Sequence, residues 1–189
     1  MMETMTRAST DGVAAALAAD LDTGFERYVR ATIDGVYTGA LRMLGHRSDA
    51  EDVVQETYAR AYRALLGYDI DRIRDLAVAG WTWTIAANLC RTRLRSRSRR
   101  PVTPLGDEDR ADGRPATEDE ALSGIGTTLR DAILGLPFPQ RAAIVMRHVL
   151  DLDYDEIAGA LDRPVGTVKS DVSRGLARLR TLHTPEVTR

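Results

Sequence analysis

Lys169, Ser170, Ser173 and Arg174 fall on one side of a helical pattern, at a spacing that brings cations and hydroxyls to a single face. Side chains of these types can reach base edges or phosphate oxygens of duplex DNA. A second group is acidic: Asp49, Asp52, Gln55 and Glu56 cluster within two helical turns. Acids near a helix start are favoured by its dipole, which accounts for the first of them better than for Gln55 and Glu56. A polar, acidic docking face for a basic helical partner is the sharper reading. A third group is Asn88 with Arg91, Arg93 and Arg95, beside Trp83 and Thr84. Amide, aromatic and arginine side chains in such a row suit single-stranded DNA, whose exposed bases stack and are read along their edges.

The elements that must position these groups are helices. Tyr154, Ile157, Ala158 and Leu161 recur at helical spacing, Asp162 to Pro164 break the pattern, and Gly166 and Thr167 open a second run with Val168, Val172, Gly175, Leu176 and Leu179 inside. Two short amphipathic helices across a tight turn make a helix-turn-helix, whose second helix enters the major groove. Charge divides accordingly. Asp151 to Asp162 holds five acids and no base, whereas Val165 to Arg180 holds Lys169, Arg174, Arg178 and Arg180 against Asp171. The alternative is an ordinary helical pair with a solvated outer face.

Upstream, Phe25, Val29, Ile33, Val36, Tyr37, Ala40, Leu41 and Leu44 trace a helical stripe. Ser48 and Glu51 form a capping-box pattern for a helix with Val54, Tyr58, Ala61 and Leu65 inside, closed by Gly67. A loop is expected from Tyr68 to about Ala79. In the helix that follows, Trp81, Ile85, Leu89 and Leu94 are expected to face a core, leaving Trp83, Thr84, Asn88 and the arginines for another surface. Leu129, Ile133 and Leu136, then Ile144, Val145 and Val149, supply apolar faces to two helices, the second started by Pro139.

The 189 residues carry a net charge of −2, an average that hides a basic block against an acidic one. Arg91 to Arg100 holds six arginines and no acid, and Pro101 to Ala121 holds seven acids and two arginines. The latter stretch, with its prolines and glycines and little apolar periodicity, reads as a linker. Cys90 is the one cysteine, which excludes an internal disulfide and a cysteine zinc site. No phosphate-binding loop, nucleophile elbow or metalloprotease motif occurs, so neither enzyme activity, metal nor cofactor is expected. With neither a secretory leader nor a membrane-length apolar run, a cytoplasmic protein is expected, without membrane insertion.

In this combination, DAEDVVQETYARAYRAL, WTWTIAANLCRTRLR and LRDAILGLPFPQRAAIVMRHVLDLDYDEIAGALDRPVGTVKSDVSRGLARLR resemble, in order, the polymerase-binding part of region 2, its melting and minus-ten part, and region 4 of extracytoplasmic-function sigma factors. The resemblance implies an all-α chain of two small helical domains: a flexible tail over 1–22, region 2 over 23–100, a flexible acidic linker over 101–124 and region 4 over 125–183. It implies that Asp49, Asp52, Gln55 and Glu56 dock on the β′ coiled coil of core RNA polymerase, with the β flap as a further contact. Asn88 matches a position near the flipped minus-ten base, with Arg91, Arg93 and Arg95 on the backbone, and Arg147, Lys169, Ser170, Ser173 and Arg174 match minus-35 contacts. An anti-sigma factor, a monomer when free and association with the nucleoid in holoenzyme are implied as well. Asp171, Ala87 and Thr92 depart from the family pattern. An acid at Asp171 repels phosphate unless it accepts from a cytosine amine. The other readings are a helix-turn-helix regulator independent of polymerase, and a nuclease, which would need clustered carboxylates.

Overall fold

A computed structural model describes residues 12–99 and 125–183. Its helices are α1 (Val13–Ala19), α2 (Leu21–Leu44), α3 (Arg47–Leu65), α4 (Ile70–Arg74), α5 (Val78–Arg99), α6 (Ile125–Gly135), α7 (Phe138–His148), α8 (Tyr154–Leu161) and α9 (Val165–His183). The acidic linker over 101–124 lies outside the described residues, as does Arg100.

Local chemistry sets the boundaries. Asp20 caps α2, its carboxylate accepting from the Thr23 N–H at 3.1 Å, so the helix starts four residues before Phe25. It ends at Gly45, whose φ of 77° is the left-handed conformation glycine adopts without strain. The helix after it begins at Arg47 with His46 in the N-cap position, ahead of the Ser48 capping box expected from sequence. The expected tail over 1–22 is also corrected: from Val13 it is helical, and Leu17 is fully buried. The loop expected from Tyr68 to Ala79 holds α4, capped by Asp69 through the Arg72 N–H at 2.8 Å, with Ile73 buried. Five residues are too few to show a periodicity.

The helix-turn-helix forms as expected. Asp153 accepts from the N–H groups of Asp155 and Glu156 while the Glu156 carboxylate accepts from the Asp153 N–H, a reciprocal capping box that starts α8. Asp162, at φ 52°, turns the chain out of α8, and α9 begins at Val165.

In the first half Val36, Ala40 and Met43 of α2, Val53, Tyr58 and Leu65 of α3, and Trp83, Ala86, Ala87 and Cys90 of α5 are buried. Trp83 was expected on an outer surface, and Trp81, Ile85, Leu89 and Leu94 inside; Trp83 is core and the others are half-buried. The reason is that α5 is covered twice, by α2 and α3 on one side and by α8 on another. In the second half Ile133, Val145, Met146, Ile157, Leu161, Val168 and Val172 are buried. Leu129 and Val149, expected in that core, are exposed; Leu150 and Leu152 fill the space after α7, where the helical period has ended.

The two halves share one apolar core. Gly39 of α2 is the meeting point. A Cβ there would lie 2.5 Å from the Trp83 ring and 3.0 Å from Leu150, so only glycine lets the three approach. Beside it Arg141, 9 % exposed, donates to the backbone carbonyls of Met43, Leu134 and Leu136. Arg130 donates to the Gly45 carbonyl at 3.0 Å. These carbonyls at the end of α2 have no further helical turn to bond, and cations from the second half satisfy them.

Candidate polymerase and nucleic-acid interfaces

The acidic face and the arginine row, separate in sequence, meet across α3 and α5. Arg93 bridges Asp49 at 3.1 Å and Asp52 at 2.8 Å, and Arg97 reaches Asp49 at 3.0 Å. Asp49 is consequently buried, while Asp52 and Gln55 are exposed. Glu56 pairs along its own helix with Arg60 at 2.6 Å, and that hydrogen bond holds its carboxyl below the usual carboxylate range. The expected docking face thus presents Asp52, Gln55 and Glu56 to solvent, with Asp49 behind them as an anchor for arginines.

The expected minus-ten residues divide in the same way. Asn88 is exposed, and its side-chain oxygen accepts from Arg91 at 3.0 Å. Arg91 also donates to the Leu161 carbonyl at 3.4 Å and lies 5.8 Å from the Phe138 ring, so it touches the second half of the chain. Arg95 is exposed and makes no ion pair among the described residues. Arg93 is taken by the carboxylates, which corrects the picture of an uninterrupted phosphate track. A shallow cleft of about 250 Å³ lies between Arg91, Arg95, Phe138 and Arg163. Two of the departures find a structural reason. Ala87 is wholly buried and cannot meet DNA beside Asn88; the Thr92 hydroxyl donates to the Asn88 carbonyl at 2.9 Å.

On α9, Lys169, Ser170, Ser173 and Arg174 are all exposed on the side opposite Val168 and Val172. The Ser170 hydroxyl donates to the Gly166 carbonyl at 2.9 Å. Arg147, in the last turn of α7, donates to Asp151 at 3.2 Å and to the Leu152 carbonyl at 3.1 Å. Asp171 corrects the sequence reading. It is 4 % exposed, points into the turn and accepts from Arg163 and, at 2.9 Å, from Arg174, so it is not a base-reading acid. Its charge is satisfied by arginines whose other ends reach solvent. Sequence reasoning missed Arg163 because nothing in the turn signals which acid it meets. Among the described residues there is no metal-holding cluster of His, Cys, Asp or Glu, and no helix long and apolar enough to cross a membrane.

Comparison with known proteins gives these surfaces a context. Residues 28–100 match the family model for Sigma-70 region 2, and residues 127–179 that for Sigma-70, region 4. The ECF RNA polymerase sigma factor SigW of Bacillus subtilis is 34 % identical over 160 residues, covering 78 % of this chain and 82 % of that protein. SigE of Mycolicibacterium smegmatis is 33 % identical over 159 residues, and the match covers 82 % of this chain but 60 % of the length of SigE. The sigma-E factor of Escherichia coli is 36 % identical over 139 residues, 67 % of this chain and 69 % of that one. The fold is shared with RpoE of Bartonella quintana, solved with the anti-sigma factor NepR, at a TM-score of 0.66 and 22 % identity over 87 % of this chain and 98 % of that one. It is shared too with CnrH, solved with the cytosolic domain of CnrY, at a TM-score of 0.63 and 24 % identity over 92 % and 96 % of the two chains. With both regions in order and relatives matched over most of its length, the chain belongs to the extracytoplasmic-function sigma factors of the sigma-70 family.

Proposed function

We propose that this sigma factor binds core RNA polymerase through Asp52, Gln55 and Glu56, reads the minus-35 element as duplex with α9, and captures the melted minus-ten strand with Asn88, Arg91 and Arg95. The observation that carries the reading is the exposed row Lys169, Ser170, Ser173 and Arg174 on the second helix of a helix-turn-helix. Its side chains can sort between base edges and phosphates in the major groove. No covalent step is required of the chain. Unstacking a base costs a few kcal/mol, and pocket contacts with arginine–phosphate attraction offset it, so melting follows from binding.

Strand capture on Asn88 asks Arg91 to release the Asn88 side-chain oxygen, which it can do while its other nitrogen stays on the Leu161 carbonyl. An anti-sigma factor belongs to the same proposal. The sequence resemblance implies one, and the likeness in fold to RpoE held by NepR supports it. A regulator that works without polymerase leaves region 2 unexplained.

The test is reconstitution. Core polymerase with the full chain is expected to initiate from a cognate promoter, and core alone is not. Asn88→Ala should impair open-complex formation while sparing recruitment, and Asp52→Ala should reduce capture of core in a pull-down. Undiminished initiation without the chain, or no binding of core by it, overturns the reading.

A further inference from the structure

The ring of Tyr154 stands between two cations delivered by different helices. The Arg147 guanidinium carbon lies 5.6 Å and the Lys169 ammonium 5.5 Å from its centroid. Both fall inside the range of about 6 Å at which the negative face of an aromatic ring attracts a cation. Tyr154 opens α8, Arg147 ends α7 and Lys169 lies in the first turns of α9, so one half-buried side chain links every element that frames the reading surface. Its hydroxyl has no hydrogen-bond partner among the described residues, and the ring packs against the core.

The two cations are held unequally. Arg147 has the Asp151 carboxylate and the Leu152 carbonyl as well as the ring. Lys169 makes no hydrogen bond or ion pair among the described residues, so the ring is its one electrostatic restraint there. A lysine on a flexible four-carbon stem loses rotamer freedom when it docks, and a restraint present beforehand lowers that loss. Arg174 is held by a different device, the buried Asp171, on the next turns of α9.

We propose that Tyr154 is a positioning residue for duplex recognition: its ring pre-orients Lys169, and to a lesser degree Arg147, toward DNA without contacting a base itself. The inference rests on α9 being the minus-35 face. It assigns the two outer cations of the face to one support and Arg174 to another.

The experiment measures affinity of reconstituted holoenzyme for a minus-35-containing promoter fragment. The variants are Tyr154→Leu, Tyr154→Phe, Lys169→Ala, Arg174→Ala and the doubles of Tyr154→Leu with each alanine. Leucine keeps the apolar packing and removes the ring, and Tyr154→Phe keeps the ring. Tyr154→Leu is expected to weaken binding about two- to five-fold, and Tyr154→Phe to restore it. Tyr154→Leu should add little on top of Lys169→Ala yet act at full strength on top of Arg174→Ala. A purely structural role would penalise both doubles alike. The inference is overturned if Lys169→Ala weakens binding and Tyr154→Leu does not, if Tyr154→Leu tightens it, or if Tyr154→Phe fails like leucine. If neither alanine variant changes affinity, the minus-35 reading of α9 falls, and this inference with it.

Discussion

Region 2 and region 4 each present a row of cations, and the two rows are held by different chemistry. On α5, Arg93 and Arg97 are bound by the carboxylates of Asp49 and Asp52 on α3, which orient them and cancel much of their charge. On α9, Lys169 is held by an aromatic ring, which orients a cation and leaves its charge intact, and Arg147 shares that ring while also pairing with the Asp151 carboxylate. Arg174 is intermediate, since its partner Asp171 is shared with Arg163 and one carboxylate serves two guanidiniums. The surface expected to meet duplex DNA therefore keeps a net positive field. On the one expected to meet a single strand, Arg93 and Arg97 are neutralised by carboxylates, while Arg91 and Arg95 make no ion pair among the described residues. In the proposed docking of a basic helix at Asp52, that helix would compete with Arg93 for one of the two carboxylates that hold it.

Three perturbations test this contrast, in descending order of expected effect. The first addresses what keeps both rows on one body. Arg141→Met should lower stability to urea by about 2–4 kcal/mol, because it strands buried carbonyls at the end of α2 and beside α7. An unchanged urea midpoint would mean that this guanidinium does not join the regions. The second strikes the intermediate case. Asp171→Ala should cost about 1–3 kcal/mol in a denaturation curve and also weaken minus-35 binding, since Arg163 and Arg174 lose their shared acceptor. Tighter binding by that variant would instead show Asp171 to be a plain repulsive charge. The third and smallest is Asp49→Asn. Freed arginines should steepen the salt dependence of single-stranded DNA binding by the full chain, by about 0.7 in the log–log slope for each phosphate gained. An identical slope would show that the carboxylates do not restrain the row.

The helix-turn-helix was legible because its determinants are local: the stripe from Tyr154 to Leu161, the break at Asp162 to Pro164 and the stripe from Val168 to Leu179 are close together in sequence, although the Asp153 and Glu156 cap went unread. The residue types of both candidate surfaces were legible for the same reason. The pairing was not. Arg93 and Asp49 are 44 positions apart, and no periodicity tells one helix which face of another it will meet. Trp83 was misplaced on related grounds, because a stripe analysis assumes one covered face and α5 has two. The same limit hid the union of the halves, which depends on Arg141 reaching the Met43 carbonyl 98 positions away.

Gly39, Trp83 and Leu150 come from three separate stretches of the chain, and each occupies room that another would otherwise fill. Bulk at this junction is common property of the three. A larger residue at one therefore asks a second to shrink, so a compensating pair of substitutions here should cost less than the enlarging substitution alone.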